Sequence, residues 1–360
     1  MKKVLKGFAI VVASLAAAFL IFTYAANYHP AEVEREEVVC PAGTPELKPG
    51  QKLKVLNWNV QYMAGKNYTF FYDLIDGSGK DERPSPEDIQ ITLNEVARVI
   101  KAENPDILNI QEIDDGSKRT DYADQLKLLL ALLPPEYSCY ADAFYHKSLF
   151  IPHPHIKGAV GMKLATISRY RIAAADRHQL ALIPSNFIMQ QFNLKRAILE
   201  MKMPVQESKD LMIMNTHLDA FSQGTNTMDL QVEEARELLR KASAAGNPWL
   251  LSGDFNLLPP GGYDLVTESE RAYYKPQTEL ASLYKEFKAI PTEGDTAPQN
   301  PARSKWFTFY PNGKRATGPD RTIDYVFFSP LITMGAYRVR SEDTTRISDH
   351  LPLVAEITLK

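Results

Sequence analysis

Cysteine is scarce in this sequence, which contains only Cys40 and Cys139 in 360 residues. Two thiols this far apart do not supply the clustered spacing of a structural zinc site, so zinc-finger classes are excluded. In an oxidising compartment the pair can form one disulfide, and two separate buried thiols fit the sequence equally well. The sequence therefore leaves the bonding of Cys40 and Cys139 open.

An excess of positive charge is also missing. The chain has 41 Lys and Arg residues against 44 Asp and Glu residues, and its first 26 residues carry three lysines and no acid. Residues 27–360 therefore have a formal net charge of −6. Proteins that hold duplex nucleic acid mainly through its phosphates carry a dense basic footprint. This composition weakens a nucleic-acid-processing function without excluding it.

The N-terminus combines lysines with a long apolar run. Residues 8–26 contain almost only apolar or small side chains, close to the ~20 residues that cross a bilayer as a helix. Thr23-Tyr24-Ala25 also offers a small-x-small cleavage site for a signal peptide. We expect residues 1–26 to be an uncleaved signal-anchor, a transmembrane helix, in preference to a cleaved signal. The lysines would stay cytoplasmic and the body outside, or the body would be secreted or periplasmic after cleavage.

Residues 27–52 are polar, acidic and dotted with proline, which predicts a linker outside the cytoplasm. Residues 53–360 then predict one folded domain in which strands and helices alternate. Ser85 and Pro86 supply an N-cap and a first-turn proline for one of the helices. The predicted strands span residues 54–60, 106–112, 161–168, 195–203, 210–216, 249–251, 305–310, 322–329 and 353–359; the predicted helices end near residues 103, 133 and 245.

Residues 137–158 are predicted to form a loop rich in Tyr, Phe and His. His153-Pro154-His155 within it offers a possible metal pair. Because prolines flank these histidines and no acid is adjacent, an exposed loop on the substrate side is the preferred interpretation.

Polar side chains recur at the predicted strand ends. Asp254 and Asn256 follow a short apolar run and, two residues apart, point the same way on an extended chain. Alone, they would be read as an Asx turn. Other strand ends carry similar groups, and strand ends of a layered α/β domain converge on one edge. The full candidate set comprises Asn59, Glu112, His217, Asp254, Asn256, Asp324, Asp349 and His350.

The chemistry of this set points to a hard divalent cation. Oxygen ligands without thiolates suit Mg²⁺, with Mn²⁺ possible, better than zinc. A hard cation beside imidazole and amide donors is what hydrolysis of a phosphoester requires, because charge develops on the phosphoryl oxygens and a base must activate water.

Six segments in order resemble the endonuclease/exonuclease/phosphatase superfamily, which includes DNase-type nucleases, inositol-polyphosphate phosphatases and neutral sphingomyelinases. The resemblance covers about residues 54–360 and implies a DNase I-like α/β fold, a four-layer sandwich with two central mixed β-sheets. The Thr-His-Leu context of His217 is closer to the sphingomyelinase and phosphatase branches. The segments are Trp58-Asn59-Val60, Gln111-Glu112, Asn215-Thr216-His217-Leu218, Gly253-Asp254-Phe255-Asn256, Ile323-Asp324-Tyr325-Val326-Phe327 and Ser348-Asp349-His350-Leu351-Pro352.

The resemblance implies a metal group and a catalytic group. Glu112 would be the principal Mg²⁺ ligand, with Asn59 near the metal and Asp349 completing the metal region. Some nucleases of this superfamily carry an acid where this chain has Gln61, so a second metal role there is not expected.

In the catalytic group, the resemblance gives each residue a role. Asp254 would orient or activate water, and Asn256 would donate to the phosphate. His217 would bind the phosphate, and His350 would be the second imidazole, oriented by Asp324.

These observations favour a metal-dependent phosphodiesterase that acts on a phosphoester substrate, such as a lipid headgroup or a small phosphoester, with the membrane as a partner through the N-terminus. No obligate protein partner is evident. A non-catalytic binding protein on the same fold is less favoured, because the set of acids and imidazoles is intact. The alternative is an extracytoplasmic nuclease acting on nucleic acid, whose basic groove would come from Lys157, Lys163, Arg169, Arg171, Lys195 and Arg196.

Overall fold

Two β-sheets pack face to face in the computed structural model, which describes residues 2–74, 76–313 and 316–360. The strands are β1 (Val33–Glu36), β2 (Lys52–Asn59), β3 (Ile107–Asp114), β4 (Cys139–Ile151), β5 (Gly158–Ser168), β6 (Ala174–Gln179), β7 (Ala197–Met203), β8 (Leu211–His217), β9 (Trp249–Asp254), β10 (Lys288–Ile290), β11 (Asp324–Phe328), β12 (Ile332–Val339) and β13 (Leu353–Leu359). The helices are α1 (Lys2–Ala25), α2 (Pro86–Glu103), α3 (Gln125–Leu132), α4 (Phe187–Phe192), α5 (Thr227–Ala244), α6 (Glu268–Arg271), α7 (Ala281–Glu286) and α8 (Glu293–Thr296).

Both sheets are mixed. The first has the order β12-β13-β2-β3-β5-β4 and the second β1-β6-β7-β8-β9-β11-β10. The pairs β2–β3 and β8–β9 are parallel, and the other described strand pairs are antiparallel. Each parallel pair is joined by a long helix, α2 or α5, as a parallel connection requires. The predicted α/β fold with two central mixed sheets is confirmed.

Helices cover the outer face of each sheet. Ser85 caps α2 by accepting a hydrogen bond from the Asp88 backbone N–H, with Pro86 in the first turn as predicted. The apolar face of α2 packs on the first sheet, and that of α5 packs on the second. A third apolar cluster lies between the sheets and includes Val55, Leu164, Met201, Ile213 and Leu250. The result is four layers.

Polar side chains cross the interface between the sheets. The Gln111 side-chain N–H donates to Asn57 Oδ1 at 2.9 Å in its own sheet and to Asn215 Oδ1 at 2.6 Å in the other. The Asn215 amide in turn donates to the backbone oxygens of Ile110 and Ala165 at 3.0 and 2.9 Å. Asn109 donates to Ser252 Oγ at 2.8 Å. Because all these groups are buried, the network fixes how the two sheets align.

Three differences from the predicted elements stand out. The expected loop at 137–158 contains the long strand β4, in which Cys139, Ala141, Ala143 and Tyr145 are buried and alternate with less buried residues. The expected strand at 305–310 is wrong: a 3-10 turn, Arg303–Trp306, occupies its start. Strands β1, β6, β10 and β12 were not predicted, because they lie at or near sheet edges, where strands are short or carry polar side chains that obscure the alternation.

The predicted linker contacts the domain. Within it, β1 pairs antiparallel with β6 at the edge of the second sheet. Cys40 forms a disulfide with Cys139 at the start of β4, which settles the question that the sequence left open. The chain between α1 and β2 is therefore held against both sheets, while the boundaries proposed for the linker stay a prediction.

Helix α1 is apolar and unpacked for most of its length. An 18-residue window within it has a mean hydropathy of 2.4 and is not buried against the rest of the chain. Its length and composition suit a membrane span or a signal sequence. Within the helix only Thr23, in the last turn, is buried.

Replacing Asn215 tests the inter-sheet network. Asn215→Ala would leave the Gln111 amide and two backbone carbonyls without their partner, which costs about 1–3 kcal/mol for each buried group left unsatisfied. We expect a clear fall in the urea midpoint with little change in the slope. The exposed Asn226, whose side chain makes no capping hydrogen bond, gives the matched Asn226→Ala control. Equal midpoints for the two variants would contradict this role.

Candidate active site

Residues from both sheets meet at one edge of the fold, here called the rim. Strands β2, β3, β8 and β9 end there, and β11 begins there. In the register of the second sheet, Asp254 lies opposite both His217 and Asp324. A side chain at Gly253 would approach the Thr216 carbonyl oxygen to 2.0 Å, so glycine is required for the strand to deliver Asp254 in this position. The predicted convergence of strand ends on one edge is observed.

Asp254 lies at the centre of the rim. Its Oδ2 is 3.3 Å from His217 Nε2 and 3.4 Å from His350 Nε2. The same oxygen accepts a hydrogen bond from the Asn59 side-chain amide at 3.1 Å, and Oδ1 accepts one from the Asn256 backbone N–H at 2.9 Å. Burial raises the pKa of Asp254 to about 7, against the lowering effect of His350. A carboxylate whose pKa lies near neutrality is suited to accept a proton.

His350 is held between two carboxylates. Its Nδ1 bonds Asp324 Oδ2 at 2.9 Å, which directs Nε2 toward Asp254. The Trp58 indole N–H donates to the His350 carbonyl oxygen at 2.8 Å, and the Phe309 ring packs edge-on against the imidazole. Burial alone would lower the pKa of His350, but Asp324 and Asp254 outweigh it and raise the pKa to about 10. At neutral pH this residue is therefore an imidazolium.

His217 is in the opposite state. Burial, followed by the nearby charges of Arg196 and His350, lowers its pKa well below the usual value, so the ring is neutral at pH 7. Its Nδ1 is buried without a hydrogen-bond partner among the described residues, and it lies 3.9 Å from Glu112 Oε1. The ring of Tyr145 packs against it at 5.5 Å between centroids.

Glu112 reaches the site through an irregular backbone. It has φ of +55° within β3, where the pairing with β5 shifts between Ile110 and Ile113. A left-handed, non-glycine residue in a bulge is costly and typical of functional positions. The Asn59 amide bridges Glu112 Oε1 at 3.2 Å to Asp254. Burial and then the Asp349 carboxylate raise the pKa of Glu112.

The remaining predicted site residues lie beside this group. Asn256 also adopts a left-handed backbone, and its side-chain amide donates to the Leu218 carbonyl oxygen at 3.1 Å. Asp349 is linked to the site through Ser348, a residue that sequence reasoning missed. The Ser348 hydroxyl donates to the Asn59 carbonyl oxygen at 2.8 Å and accepts from the His350 backbone N–H at 3.2 Å. Its place inside the Ser-Asp-His motif was the available signal.

The donor set fits a hard cation. Glu112 and Asp349 offer carboxylate oxygens, and burial followed by the negative charge of Asp349 raises the pKa of Glu112, an effect that a bound cation would counter. The Asn59 side chain turns its N–H₂ group toward Glu112, while its oxygen accepts from the Gln61 backbone N–H, so ligation by its oxygen requires the amide to rotate. The side-chain amide of Gln61 is buried with no partner in the described chain, as expected beside a site that takes a further group.

A second cluster, of two acids and a histidine, already contains balancing positive charge. Ligand atoms of Asp254, Asp324 and His350 lie within 4.8 Å of one another. Because the imidazolium of His350 faces both carboxylates, it supplies the positive charge that this cluster needs. A cation is better placed beside Glu112 and Asp349.

Most of the basic side chains considered for a nucleic-acid groove already bind other groups of the protein. Lys163 lies 2.6 and 3.0 Å from Asp115 and Asp142. Lys195 donates to the Asn193 carbonyl oxygen at 3.1 Å. The arginines pair with acids in the same way: Arg169 with Glu136, Arg171 with Glu46 and Arg196 with Asp219. These paired side chains do not form an open basic surface.

The histidine pair and the aromatic segment have structural partners. His153 and His155 are exposed, as predicted for that segment, and both rings stack on Phe71. His155 Nδ1 lies 3.2 Å from Glu82. Phe70 is buried in a small aromatic cluster at the start of the insertion after β2. The aromatic residues after β2 therefore pack largely on each other.

Comparison with known proteins identifies the family of this chain. The model of the Endonuclease/Exonuclease/phosphatase family matches residues 56–350. No curated protein matches the sequence.

Solved structures show the same fold. An endonuclease/exonuclease/phosphatase from Beutenbergia cavernae DSM 12333 is 23% identical with a TM-score of 0.53, over 86% of this chain and 72% of that one. The human Nocturnin catalytic domain with bound sulfate anion is 17% identical with a TM-score of 0.53, over 90% of this chain and 97% of that domain. An endonuclease/exonuclease/phosphatase from Bacteroides vulgatus is 16% identical with a TM-score of 0.50, over 86% of this chain and 100% of that one.

The pairing of Asp324 with His350 makes a pH-dependent contribution to stability. Because the folded-state pKa of His350 is raised, this contribution is complete below the unfolded histidine pKa of about 6.5 and is lost as pH rises through about 10. Asp324→Asn should therefore be less stable than wild type at neutral pH, by roughly 1.5–3 kcal/mol for a charged hydrogen bond. Urea unfolding across this pH range measures the difference, which should shrink as pH rises above about 6.5 and be lost by about pH 10. A difference independent of pH would argue against an imidazolium at His350.

Proposed function

The chain belongs to the endonuclease/exonuclease/phosphatase family, and from this premise we propose that it is a phosphodiesterase that depends on a divalent cation and acts at a membrane surface. The observation that carries the proposal is the position of Asp254, which faces a neutral and a protonated imidazole and is bridged by Asn59 to the Glu112 carboxylate. A base, a cationic donor and a metal ligand are thus gathered at one point of the rim.

Asp254 is the proposed general base. Its raised pKa lets it accept the proton of an attacking water near neutral pH. The Asn256 backbone N–H and the Asn59 amide hold the carboxylate in place. Proton transfer from water to Asp254 creates the nucleophile beside the phosphorus.

The two histidines have different tasks in this proposal. The His350 imidazolium, oriented by Asp324, stabilises the negative charge that grows on the phosphoryl oxygens. The neutral His217 positions the phosphate, with Asn256 as a further donor once its amide turns from Leu218. Electrostatics support this division, because burial lowers the pKa of His217 while two carboxylates raise that of His350.

Glu112 and Asp349 would hold the cation, with Asn59 beside them. A bound Mg²⁺, or Mn²⁺, supplies a Lewis acid that polarises the phosphoryl group. Glu112 presents its side chain from the left-handed position in β3, and Asn59 orients that carboxylate.

A lipid headgroup is the substrate class that we propose. An exposed apolar helix precedes the domain, and the three lysines in its first residues would remain cytoplasmic, so the domain would lie outside the cytoplasm. Nucleic acid has less support as a substrate, because most of the candidate basic residues already pair with acidic side chains.

Two isosteric substitutions separate the metal role from the base role. Glu112→Gln should raise the Mg²⁺ concentration needed for half-maximal activity by at least about tenfold, and excess Mg²⁺ should restore part of the rate. Asp254→Asn should lower kcat by about 10²–10⁴ with no rescue by metal. The surface substitution Glu95→Gln on α2 is the control. Equal metal rescue of both site variants would contradict these assignments.

Parallel assays of the full chain test the substrate class. Purified protein in proteoliposomes is given sphingomyelin in the same bilayer or plasmid DNA in solution, each with Mg²⁺ or with EDTA. We expect release of the phosphorylated headgroup that depends on Mg²⁺, with the plasmid left intact. Nicking of the plasmid alone would make the protein a nuclease and remove the lipid proposal.

A further inference from the structure

The end of α1 is joined to the domain by backbone hydrogen bonds. The Leu149 N–H donates to the Ala26 carbonyl oxygen at 2.8 Å, and the Tyr28 N–H donates to the Lys147 carbonyl oxygen at 3.2 Å. Ala26 and Asn27 are buried at this junction. The apolar helix therefore leaves the domain from a defined point on β4 and not from a free linker.

This junction lies at the same end of the sheets as the candidate active site. Strand β4 runs antiparallel to β5, whose first residues pair near Asp114, just beyond Glu112. Tyr145 packs against His217, and Ser148 follows three residues later, about 10 Å along a strand at about 3.3 Å per residue. The membrane-spanning candidate and the rim are therefore neighbours.

Exposed apolar side chains surround the junction. Leu149 is 70% exposed, and on the short helix α4 Phe187 is 60% and Met189 54% exposed. Helix α4 packs beside α1 and is held to β4, where His146 Nε2 contacts the Phe192 carbonyl oxygen at 3.1 Å. Phe150 on β4 is exposed as well, and so is Phe221, four residues after β8 ends at the rim.

Large exposed apolar groups gathered beside an apolar 24-residue helix need a partner that is itself apolar. Lys147 and Lys157, both exposed on the β4–β5 hairpin, add the cationic groups typical of surfaces that lie at a lipid interface. We propose that this patch, formed by Leu149, Phe150, Phe187, Ile188, Met189 and Phe221, docks into the bilayer that holds α1 and turns the rim toward the lipid headgroups.

The docking surface rests on the membrane part of the proposed function but not on its chemistry. It explains how a site fixed to rigid strands reaches a substrate that stays in the bilayer. With the patch inserted about 5–10 Å into the headgroup and acyl boundary, as interfacial side chains are, the rim would face phosphates at the surface and water-soluble polymers would approach less easily.

Tryptophan quenching by lipid tests the orientation. Phe187→Trp places a fluorophore on the patch, while Leu331→Trp is the matched control, because Leu331 is exposed and follows β11 at the edge opposite the rim. Each full-length variant is reconstituted in vesicles of phosphatidylcholine with or without bromine near the carboxyl ends of its acyl chains. Wild type provides the background, which comes from the buried Trp58 and Trp249 and the half-buried Trp306.

Bromine should reduce the added fluorescence of Phe187→Trp at least about twofold, as expected for a side chain at the acyl boundary, and leave Leu331→Trp unchanged. Co-flotation of the protein with vesicles is measured in the same samples. Loss of flotation would remove the proposed membrane association, whereas flotation with an unquenched Phe187→Trp would overturn the docking surface alone. A blue-shifted but unquenched Phe187→Trp would mean that the side chain packs against this chain or a second copy of it, which would also overturn the docking surface.

A paired substitution gives the functional readout. Phe187→Asp with Met189→Asp should slow headgroup release in vesicles several-fold and leave hydrolysis of a soluble bis-aryl phosphodiester unchanged. Equal loss on both substrates would show damage to the site or the fold and contradict a docking role. Unchanged activity on vesicles would also contradict a docking role.

Discussion

The buried amide network between the two sheets is the constraint on which the site depends. Gln111 and Asn215 fix the relative position of strands that belong to different sheets, and their polar groups are expensive to leave unpaired. Glu112 directly follows Gln111, and His217 comes two residues after Asn215. The same hydrogen bonds that align the sheets therefore set the distance between the proposed metal ligand and the phosphate-binding histidine.

The two groups of acids at the rim differ in their positive counter-charges. Asp324, Asp254 and His350 form a buried group in which one imidazolium faces two carboxylates, whereas Glu112 and Asp349 are adjacent acids with a raised pKa on Glu112. Because burial and the neighbouring Asp349 raise the pKa of Glu112 and hard cations prefer carboxylate oxygens, we assign the proposed divalent cation to this second pair. One edge of the fold thus separates the base and its imidazolium from the metal region, with Asn59 between them.

The attachment of α1 to the domain fixes the orientation of the rim relative to this helix. Backbone hydrogen bonds fix the helix to β4, and the disulfide between Cys40 and Cys139 ties the following segment to the same strand. The site is built on rigid strand ends, and the apolar helix α1 ends against the neighbouring strand β4, so the two form a single unit. Orientation relative to the bilayer would follow from the fold, without a flexible tether.

Local sequence determined much of this protein. The strand-end polar residues, the capped helix α2, the apolar N-terminus and the α/β class could all be predicted, because periodicity, caps and ordered motifs are short-range properties. The tertiary structure alone decided that β4 is a strand and that Cys40 bonds Cys139. It also decided that Lys163 and Arg171 form ion pairs and that Ser348 supports His350. Each of these depends on a partner distant in sequence, and distance in space is set by how the two sheets pack and not by the pattern of any one segment.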